Sequence, residues 1–101
     1  MTETLVRGKF PSPVDPAGVA ADWQSRGYSC TDFSDPPGQA WRGFVHDCNE
    51  LVTVVEGRLE LEIEGTRVFA DPGDEVFIPK DARHSVFNVH ESRTRWLFGY
   101  D

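Results

Sequence analysis

Four side chains in the middle of the sequence have the chemistry of metal ligands. His46 and Glu50 lie four residues apart in the stretch FVHDCNELVTVVEG, with Cys48 between them, and His84 follows a short turn further along the chain. Imidazole, carboxylate and thiolate groups are the ones by which proteins hold transition metals. The stretch therefore admits three interpretations: a metal site, a reactive thiol, or a few polar residues at the mouth of a hairpin.

The local secondary structure decides how these polar side chains are arranged. The run LVTVV favours a strand over a helix, because β-branched side chains lose rotamer freedom in helices. In an unbroken strand His46, Cys48 and Glu50 would share one face, because alternate side chains point the same way. If the three residues between His46 and Glu50 form a turn instead, His46 ends one strand and Glu50 begins its hairpin partner. Either arrangement directs an imidazole and a carboxylate into the same space.

Length and charge limit the class of protein. The sequence of 101 residues predicts a single domain over residues 1–101, and 39% hydrophobic residues are enough for a core. A domain this small gains stability from association, so we expect a homodimer. The formal charge of -7 repels phosphate backbones and anionic lipids, which argues against nucleic acid or a membrane as partner.

Targeting signals and cysteine usage indicate the compartment. The sequence has no apolar run long enough to span a membrane, and its N-terminus lacks the pattern of a signal peptide. Two cysteines, Cys30 and Cys48, do not make a disulfide framework, although a bridge between them stays open. We therefore expect a cytoplasmic protein with reduced thiols.

One helix is predicted between Asp15 and Gly27. Asp15 is a good N-cap, Pro16 suits the first helical position, and Gly27 supplies the left-handed residue after the C-terminus. Val19 and Trp23 lie four residues apart and form the predicted buried stripe. The helix is short, about three turns.

From Tyr28 onward the hydrophobic period changes from that of a helix to that of a strand. In the clearest example Leu59, Leu61 and Ile63 alternate with charged residues that face water. Seven or eight short strands at near-regular spacing, with no helix between them, predict an antiparallel sandwich or barrel. The predicted strand segments are YSCTDF, AWRGFVH, ELVTVVEG, RLELEIEG, TRVFADPG, DEVFIP, HSVFNV and RTRWLFGY.

The spacing of the polar residues closely resembles the paired motifs of the cupin superfamily. The first cupin motif, G-x5-H-x-H-x3,4-E-x6-G, corresponds to residues 38–57, and the second, G-x5-P-x-G-x2-H-x3-N, to residues 73–88. The sequence departs from the motifs where Phe44 replaces the first histidine and Asp81 replaces a glycine that shapes a turn. The matching residues are Gly38, His46, Glu50, Gly57, Gly73, Pro79, His84 and Asn88. The chain is therefore similar to a small single-domain cupin of the cupin_2 type.

This resemblance implies an all-β cupin fold, a double-stranded β-helix or jelly-roll barrel, with the one short N-terminal helix and one divalent transition metal ion inside. Carried over by position, His46, Glu50 and His84 are the metal ligands, and the ligand position at Phe44 is lost. Two imidazoles and one carboxylate with open positions suit Fe2+, and such sites also accept Mn2+, Ni2+, Co2+ or Zn2+. Cys48 is a candidate extra ligand, and a small packed thiol is the alternative.

Residues near the expected ion are predicted to form an apolar cavity. Arg42 shares parity with Phe44, so it either meets a substrate carboxylate or phosphate or lies in water. The predicted cavity-lining residues are Arg42, Phe44, Val52, Val54 and Val86. Four aromatic residues are predicted to belong to the core or a dimer interface instead: Trp41, Trp96, Phe98 and Tyr100.

Three functions are compatible with such a site. The leading hypothesis is a metal-dependent enzyme that acts on a small molecule, a dioxygenase first and an isomerase or lyase second. The rival is a small-molecule or metal-binding module without chemistry, and the sequence offers no general acid or base apart from the ligands. A purely structural dimer with an empty barrel would require Glu50 to turn outward.

Overall fold

Nine strands in two antiparallel sheets and one helix make up the fold that the computed structural model shows for residues 3–101. The all-β prediction with one short N-terminal helix is therefore confirmed. The elements in chain order are β1 (Leu5–Val6), α1 (Pro16–Ser25), β2 (Thr31–Asp35), β3 (Ala40–Phe44), β4 (Glu50–Glu56), β5 (Leu59–Ile63), β6 (Thr66–Ala70), β7 (Glu75–Ile78), β8 (His84–Asn88) and β9 (Thr94–Tyr100).

The order of the strands makes the two sheets a jelly-roll barrel, as predicted. The larger sheet has the order β1-β7-β4-β9-β2 and the smaller sheet the order β3-β8-β5-β6. Because most neighbours in a sheet are distant in sequence, the chain crosses repeatedly from one sheet to the other. The inward residues of β5, Leu59, Leu61 and Ile63, are buried as the alternation predicts. With the apolar residues of β4, β7 and β8 they fill the space between the sheets.

Helix α1 begins and ends where the capping residues predict. The Asp15 side chain accepts a hydrogen bond from the Ala17 backbone N–H at 3.1 Å, and Gly27 adopts a φ of 86°. Val19 and Trp23 are 1% and 0% exposed, because they pack on the outer face of the larger sheet. No helix in residues 3–101 is long and apolar enough to cross a membrane.

A buried polar contact ties the helix to the larger sheet. The indole N–H of Trp23 donates to Glu75 Oε1 at 2.9 Å, and the Arg26 guanidinium donates to the same carboxylate. Glu75 is 5% exposed, so its charge is paired inside the protein as buried charges require. This carboxylate, on the opposite face of the sheet from the barrel interior, is fully bonded.

The segment between β3 and β4 is a loop, so neither predicted arrangement of His46 and Glu50 is correct. β3 pairs with β8 in the smaller sheet, whereas β4 pairs with β7 and β9 in the larger sheet. The side chain of Asn49 links the loop to two distant parts of the chain, since it accepts from the Lys80 N–H at 2.8 Å and donates to Asp101 at 2.9 Å. His46 therefore lies in this loop, whereas Glu50 is the first residue of β4 in the larger sheet.

Candidate metal centre

The three predicted metal ligands lie together at one end of the barrel interior. Glu50 Oε1 is 3.4 Å from Nε2 of His84 and 3.7 Å from Nε2 of His46. One ligand atom from each residue lies within 4.8 Å of the others. Glu50 and His84 are both 4% exposed, and His46 is half-buried. The barrel therefore gathers two imidazoles and one carboxylate from a loop and from the first residues of β4 and β8.

Glu50 carries the clearest sign that a cation belongs here. As the first residue of β4 it lies opposite Ile78 of β7 and Tyr100 of β9, which directs its side chain into the barrel. Its Oε1 is buried and accepts no hydrogen bond from residues 3–101. A buried carboxylate oxygen without a partner is costly, and native proteins pair such groups or bind a metal with them. The donor set thus fits a divalent transition metal ion.

The ring of His84 is oriented as a metal ligand needs. Its Nδ1 donates to the carbonyl oxygen of Ala82 at 3.1 Å, which directs Nε2, the nitrogen that carries the lone pair when the ring is neutral, toward Glu50. Burial of the ring disfavours its charged form, but the Glu50 carboxylate and the Ala82 carbonyl outweigh it. The pKa of His84 is raised as a result.

His46 is fixed by the loop that precedes β8. The backbone N–H of Asp81 donates to the carbonyl oxygen of His46 at 2.8 Å. Asp81 has a φ of 66°, the left-handed conformation for which the motif uses glycine. Aspartate is one of the few other residues that adopt this conformation readily, so the turn keeps its shape despite the replacement. The imidazole of His46 stacks on Phe44, with ring centroids 6.0 Å apart.

A β-bulge in β3 places Phe44 inside the barrel and Arg42 outside it. The register with β8 runs from Trp41 opposite Val86 to Phe44 opposite His84, which leaves one extra residue in β3. Bulges of this kind interrupt the alternation of side chains along a strand. The parity argument that grouped Arg42 with Phe44 therefore does not hold.

The side chain of Arg42 consequently points away from the barrel interior. It is exposed, and its guanidinium lies 5.1 Å from the ring centroid of Phe87, a residue of β8 that is adjacent to inward-facing Val86. Neighbouring residues of a strand face opposite sides of the sheet. Arg42 does not line the cavity, and no substrate role for it follows from this position.

The ligand residues open onto a cavity of about 220 Å³. Phe44 and Val86 line the cavity, in agreement with their expected positions. Val52 and Val54 face the same interior but are 0% exposed, because they are packed in the core behind the cavity wall. The lining residues are Phe33, Trp41, Phe44, His46, Glu50, His84, Val86, Trp96, Phe98 and Tyr100.

The aromatic residues predicted to be core or interface form the walls of this cavity. Trp96, Phe98 and Tyr100 alternate along β9, and Tyr100 is directly opposite Glu50 in β4. Residues opposite each other in a sheet share a face, so this alternation points all three into the barrel beside the carboxylate. That signal was present in the sequence, but it could be used only once β9 was known to pair with β4.

Tyr100 is the polar residue of the site that the sequence did not reveal. Its hydroxyl lies 3.5 Å from Nε2 of His46. Burial and the nearby Glu50 carboxylate raise the pKa of Tyr100 to about 12. The hydroxyl therefore keeps its proton at neutral pH and is a hydrogen-bond donor beside the ligand group.

Cys48 lies in the loop between β3 and β4 and is not a member of the ligand group. Partial burial of the thiol and the neighbouring Asp47 and Asp101 carboxylates raise the pKa of Cys48. A thiol must lose its proton to bind a metal, so this environment disfavours metal binding. Both Cys48 and Cys30 are free cysteines.

Replacing Cys48 with serine is expected to leave the metal content of the purified protein unchanged, because the thiol stands outside the ligand group. Elemental analysis of the variant beside the wild type measures this directly, and Cys30→Ser is the matched control for the loss of a thiol. Loss of metal from Cys48→Ser alone would identify Cys48 as a fourth ligand.

A search with family models identifies one family. The model described as the cupin domain, Cupin_2, matches residues 32–100. This range contains both motifs, all three candidate ligands and every strand from β3 to β9. No match is found among curated proteins.

Many solved structures share the fold of the chain. A cupin 2 domain-containing protein from Halorhodospira halophila has a TM-score of 0.68 at 23% identity, covering 73% of this chain and 51% of that one. AerE from Microcystis aeruginosa has a TM-score of 0.68 at 15% identity, covering 72% and 35%. The protein TT1209 from Thermus thermophilus has a TM-score of 0.66 at 23% identity, covering 72% and 71%. The chain thus spans about a half and a third of the first two proteins, and identities this low show the fold alone.

Proposed function

Since the chain belongs to the cupin family, whose domain model matches residues 32–100, we propose that it is a metal-dependent enzyme of the dioxygenase type acting on a small molecule in the barrel cavity. The observation that carries this proposal is the buried Glu50 Oε1, which has no hydrogen-bond partner among residues 3–101 and lies within 4 Å of two imidazole nitrogens. A cupin fold alone does not choose an activity, so the argument depends on the site.

His46, Glu50 and His84 would hold the ion, and Fe2+ is the metal we propose. Two histidines and one carboxylate on one side of an ion are the ligand set of non-haem iron oxygenases, whereas Mn2+, Ni2+, Co2+ and Zn2+ are accepted by similar donors. The ion would supply a site that binds O2 and polarises a substrate oxygen. Phe44 stands where the cupin motif has another histidine, so three protein ligands leave positions for water or substrate.

The chain's own residues prepare the cavity for this chemistry. The Ala82 carbonyl fixes the ring of His84, and the stacked ring of Phe44 restrains His46. The hydroxyl of Tyr100 keeps its proton at neutral pH and would donate a hydrogen bond to a substrate oxygen bound beside His46. The aromatic walls give that oxygen an apolar surrounding, in which polar interactions are stronger than in water.

Metal analysis and oxygen uptake test the proposal together. The purified protein is analysed for metal, then loaded anaerobically with Fe2+ and supplied with small phenols, thiols or keto acids in an oxygen electrode. We expect one bound ion per chain and substrate-dependent O2 uptake that is absent from the metal-free protein. If the protein binds none of Fe2+, Mn2+, Ni2+, Co2+ and Zn2+ when each is added, the metal site itself is contradicted.

The second candidate is a metal-binding or small-molecule-binding module without catalysis. The loss of a ligand at Phe44 favours it, because fewer protein ligands hold the ion less tightly. One metal per chain with no O2 uptake for any substrate class would support this candidate over the enzyme. Isomerase or lyase activity on the same site would appear as substrate turnover without O2 uptake. A homodimer and a cytoplasmic location stay predictions under either function.

A further inference from the structure

We propose that the side chains lining the cavity favour a small uncharged molecule with one aromatic ring and one polar substituent, and that Asp35 is the positioning residue that shapes the ring-binding end. This inference deepens the proposed function and rests on it. It follows from how polar and apolar groups are distributed in the cavity, from the bonds of two indole rings, and from the charges in the lining.

The polar atoms of the cavity are gathered at one end. Glu50 Oε1 and the Nε2 atoms of His46 and His84 form the ligand group, and the Tyr100 hydroxyl lies 3.5 Å from the nearer imidazole. A ligand that reaches this end meets the ion and one neutral hydrogen-bond donor. One small oxygen-bearing substituent, such as a hydroxyl, matches that set.

Aromatic rings form the other end. The ring of Phe33 meets those of Trp41, Trp96 and Phe98 edge-on, with centroids 6.1, 6.0 and 6.2 Å away and interplanar angles of 60°, 85° and 74°. Aromatic pairs favour this T-shaped arrangement, and a ligand ring can make the same contacts. The cavity of about 220 Å³ is smaller than those that hold drug-sized ligands, so it limits the ligand to about one ring.

Asp35 binds the indole N–H groups of the two tryptophans that line the cavity, so these donors are not available to a ligand. Its carboxylate accepts the indole N–H of Trp41 at 3.1 Å and that of Trp96 at 3.0 Å. Asp35 is 2% exposed and joins β2 and β9 of one sheet to β3 of the other. Both indole donors are therefore satisfied inside the protein, and the rings offer carbon surface to the cavity.

The charge of the lining excludes anionic ligands. Within the described residues 3–101, no lysine or arginine lines the cavity, and Glu50 is its single carboxylate. A carboxylate or phosphate on the ligand would meet no lysine or arginine in the lining and would be desolvated beside Glu50. Of an anionic and an uncharged ring of the same size, the side chains of the lining therefore favour the uncharged one.

Titration of the metal-free chain, residues 1–101, with phenol, benzoate and cyclohexanol tests this selectivity. The probes share a six-membered ring and differ in charge or planarity. Metal-free protein is used because a bound ion would itself coordinate benzoate. We expect phenol to bind at least about tenfold more tightly than benzoate and severalfold more tightly than cyclohexanol. Equal or tighter binding of benzoate would overturn the inference.

Nitrogen-15 NMR of the indole groups locates the bound phenol. The chain has three tryptophans, of which Trp41 and Trp96 line the cavity and Trp23 belongs to helix α1, outside the cavity. We expect the indole signals of Trp41 and Trp96 to shift on titration and that of Trp23 to stay in place. Shifts at Trp23 alone would also overturn the inference.

Two variants test the role of the aromatic end. Asp35→Leu removes the oxygen that accepts from both indoles, so both N–H groups lose their partner, and we expect phenol affinity to fall about tenfold. Phe33→Leu, at the half-exposed mouth, should reduce phenol affinity severalfold, and it is the decisive variant if Asp35→Leu does not fold. Asp32→Asn is the matched control, since this carboxylate of the same strand pairs with Arg95 on the surface. Unchanged phenol affinity in both test variants would overturn the inference.

Metal analysis of the same preparations separates this inference from the proposed function. Loss of phenol selectivity in a chain that still binds one metal ion overturns the inference and leaves the metal-dependent function standing. Phenol selectivity in a chain that binds no metal supports the ring-binding end and contradicts the metal-dependent function.

Discussion

Replacing His84 by alanine is expected to lower metal affinity by more than about 100-fold and to leave the purified protein without stoichiometric metal. Loss of a residue that only orients a metal ligand typically costs about 10- to 100-fold in affinity, and His84 is proposed to be a ligand itself. Its Nε2 faces the unpartnered oxygen of Glu50 at 3.4 Å, so the variant removes one of three donors. Elemental analysis and titration with Co2+, whose visible spectrum reports coordination, measure the loss.

His90→Ala is the control for this prediction. His90 is the remaining histidine of the chain and follows β8 in a loop, outside the ligand group. Its replacement should leave metal content and the Co2+ spectrum unchanged. If His84→Ala retained metal as the wild type does, the ion would have to be bound elsewhere, and the proposed centre would be rejected.

The sequence predicted the ligand group through spacing and not through local geometry. His46, Glu50 and His84 were identified by their positions in two motifs, whereas both geometric arrangements considered for the loop were incorrect. The reason is that β3 and β4 belong to different sheets. The side-chain hydrogen bonds of Asn49 that turn the loop depend on Lys80 and Asp101, which are distant in sequence. The spacing of the two motifs identifies residues that meet in the folded barrel, whereas the alternation along one segment says nothing about contacts with distant segments.

The cavity walls could be predicted only in part, because two tertiary features change which side chains face inward. The bulge in β3 reverses the alternation between Trp41 and Phe44, and this excludes Arg42 from the interior. The pairing of β9 with β4 sets Tyr100 beside Glu50. A strand pattern gives the two faces of each strand correctly, but it cannot tell which strand is its neighbour or where an extra residue is inserted.

The replacement of Glu50 by glutamine is expected, at a pH above the raised pKa of His84, to stabilise the metal-free protein while it abolishes stabilisation by metal. In the metal-free chain the Glu50 carboxylate is buried with one oxygen unpaired, which is costly for a charged group. Glutamine has almost the same shape and no charge, and its amide can donate to the free Nε2 of His84. We expect a gain of about 1 kcal/mol, which for a domain of this size raises the unfolding temperature by about 4–8 °C.

Added metal should stabilise the wild type and leave the variant almost unchanged. An ion at about 100 times its dissociation constant stabilises the wild type by about 2.7 kcal/mol, whereas the variant, which lacks the carboxylate ligand, should gain almost nothing. Thermal unfolding followed by circular dichroism, with and without Zn2+ or Mn2+, measures both effects.

Glu75→Gln supplies the control that makes the sign of this result informative. Glu75 is buried to nearly the same degree as Glu50, at 5% and 4% exposure, but its carboxylate is bonded to Trp23 and Arg26. Removing that charge should therefore destabilise the protein by about 1–3 kcal/mol, with no change in its response to metal. If Glu50→Gln destabilised the metal-free protein as Glu75→Gln does, Glu50 would be a structural partner and not an open ligand. If Glu50→Gln raises the free energy of unfolding and Glu75→Gln lowers it, Glu50 is the buried carboxylate that stays unpaired until an ion binds.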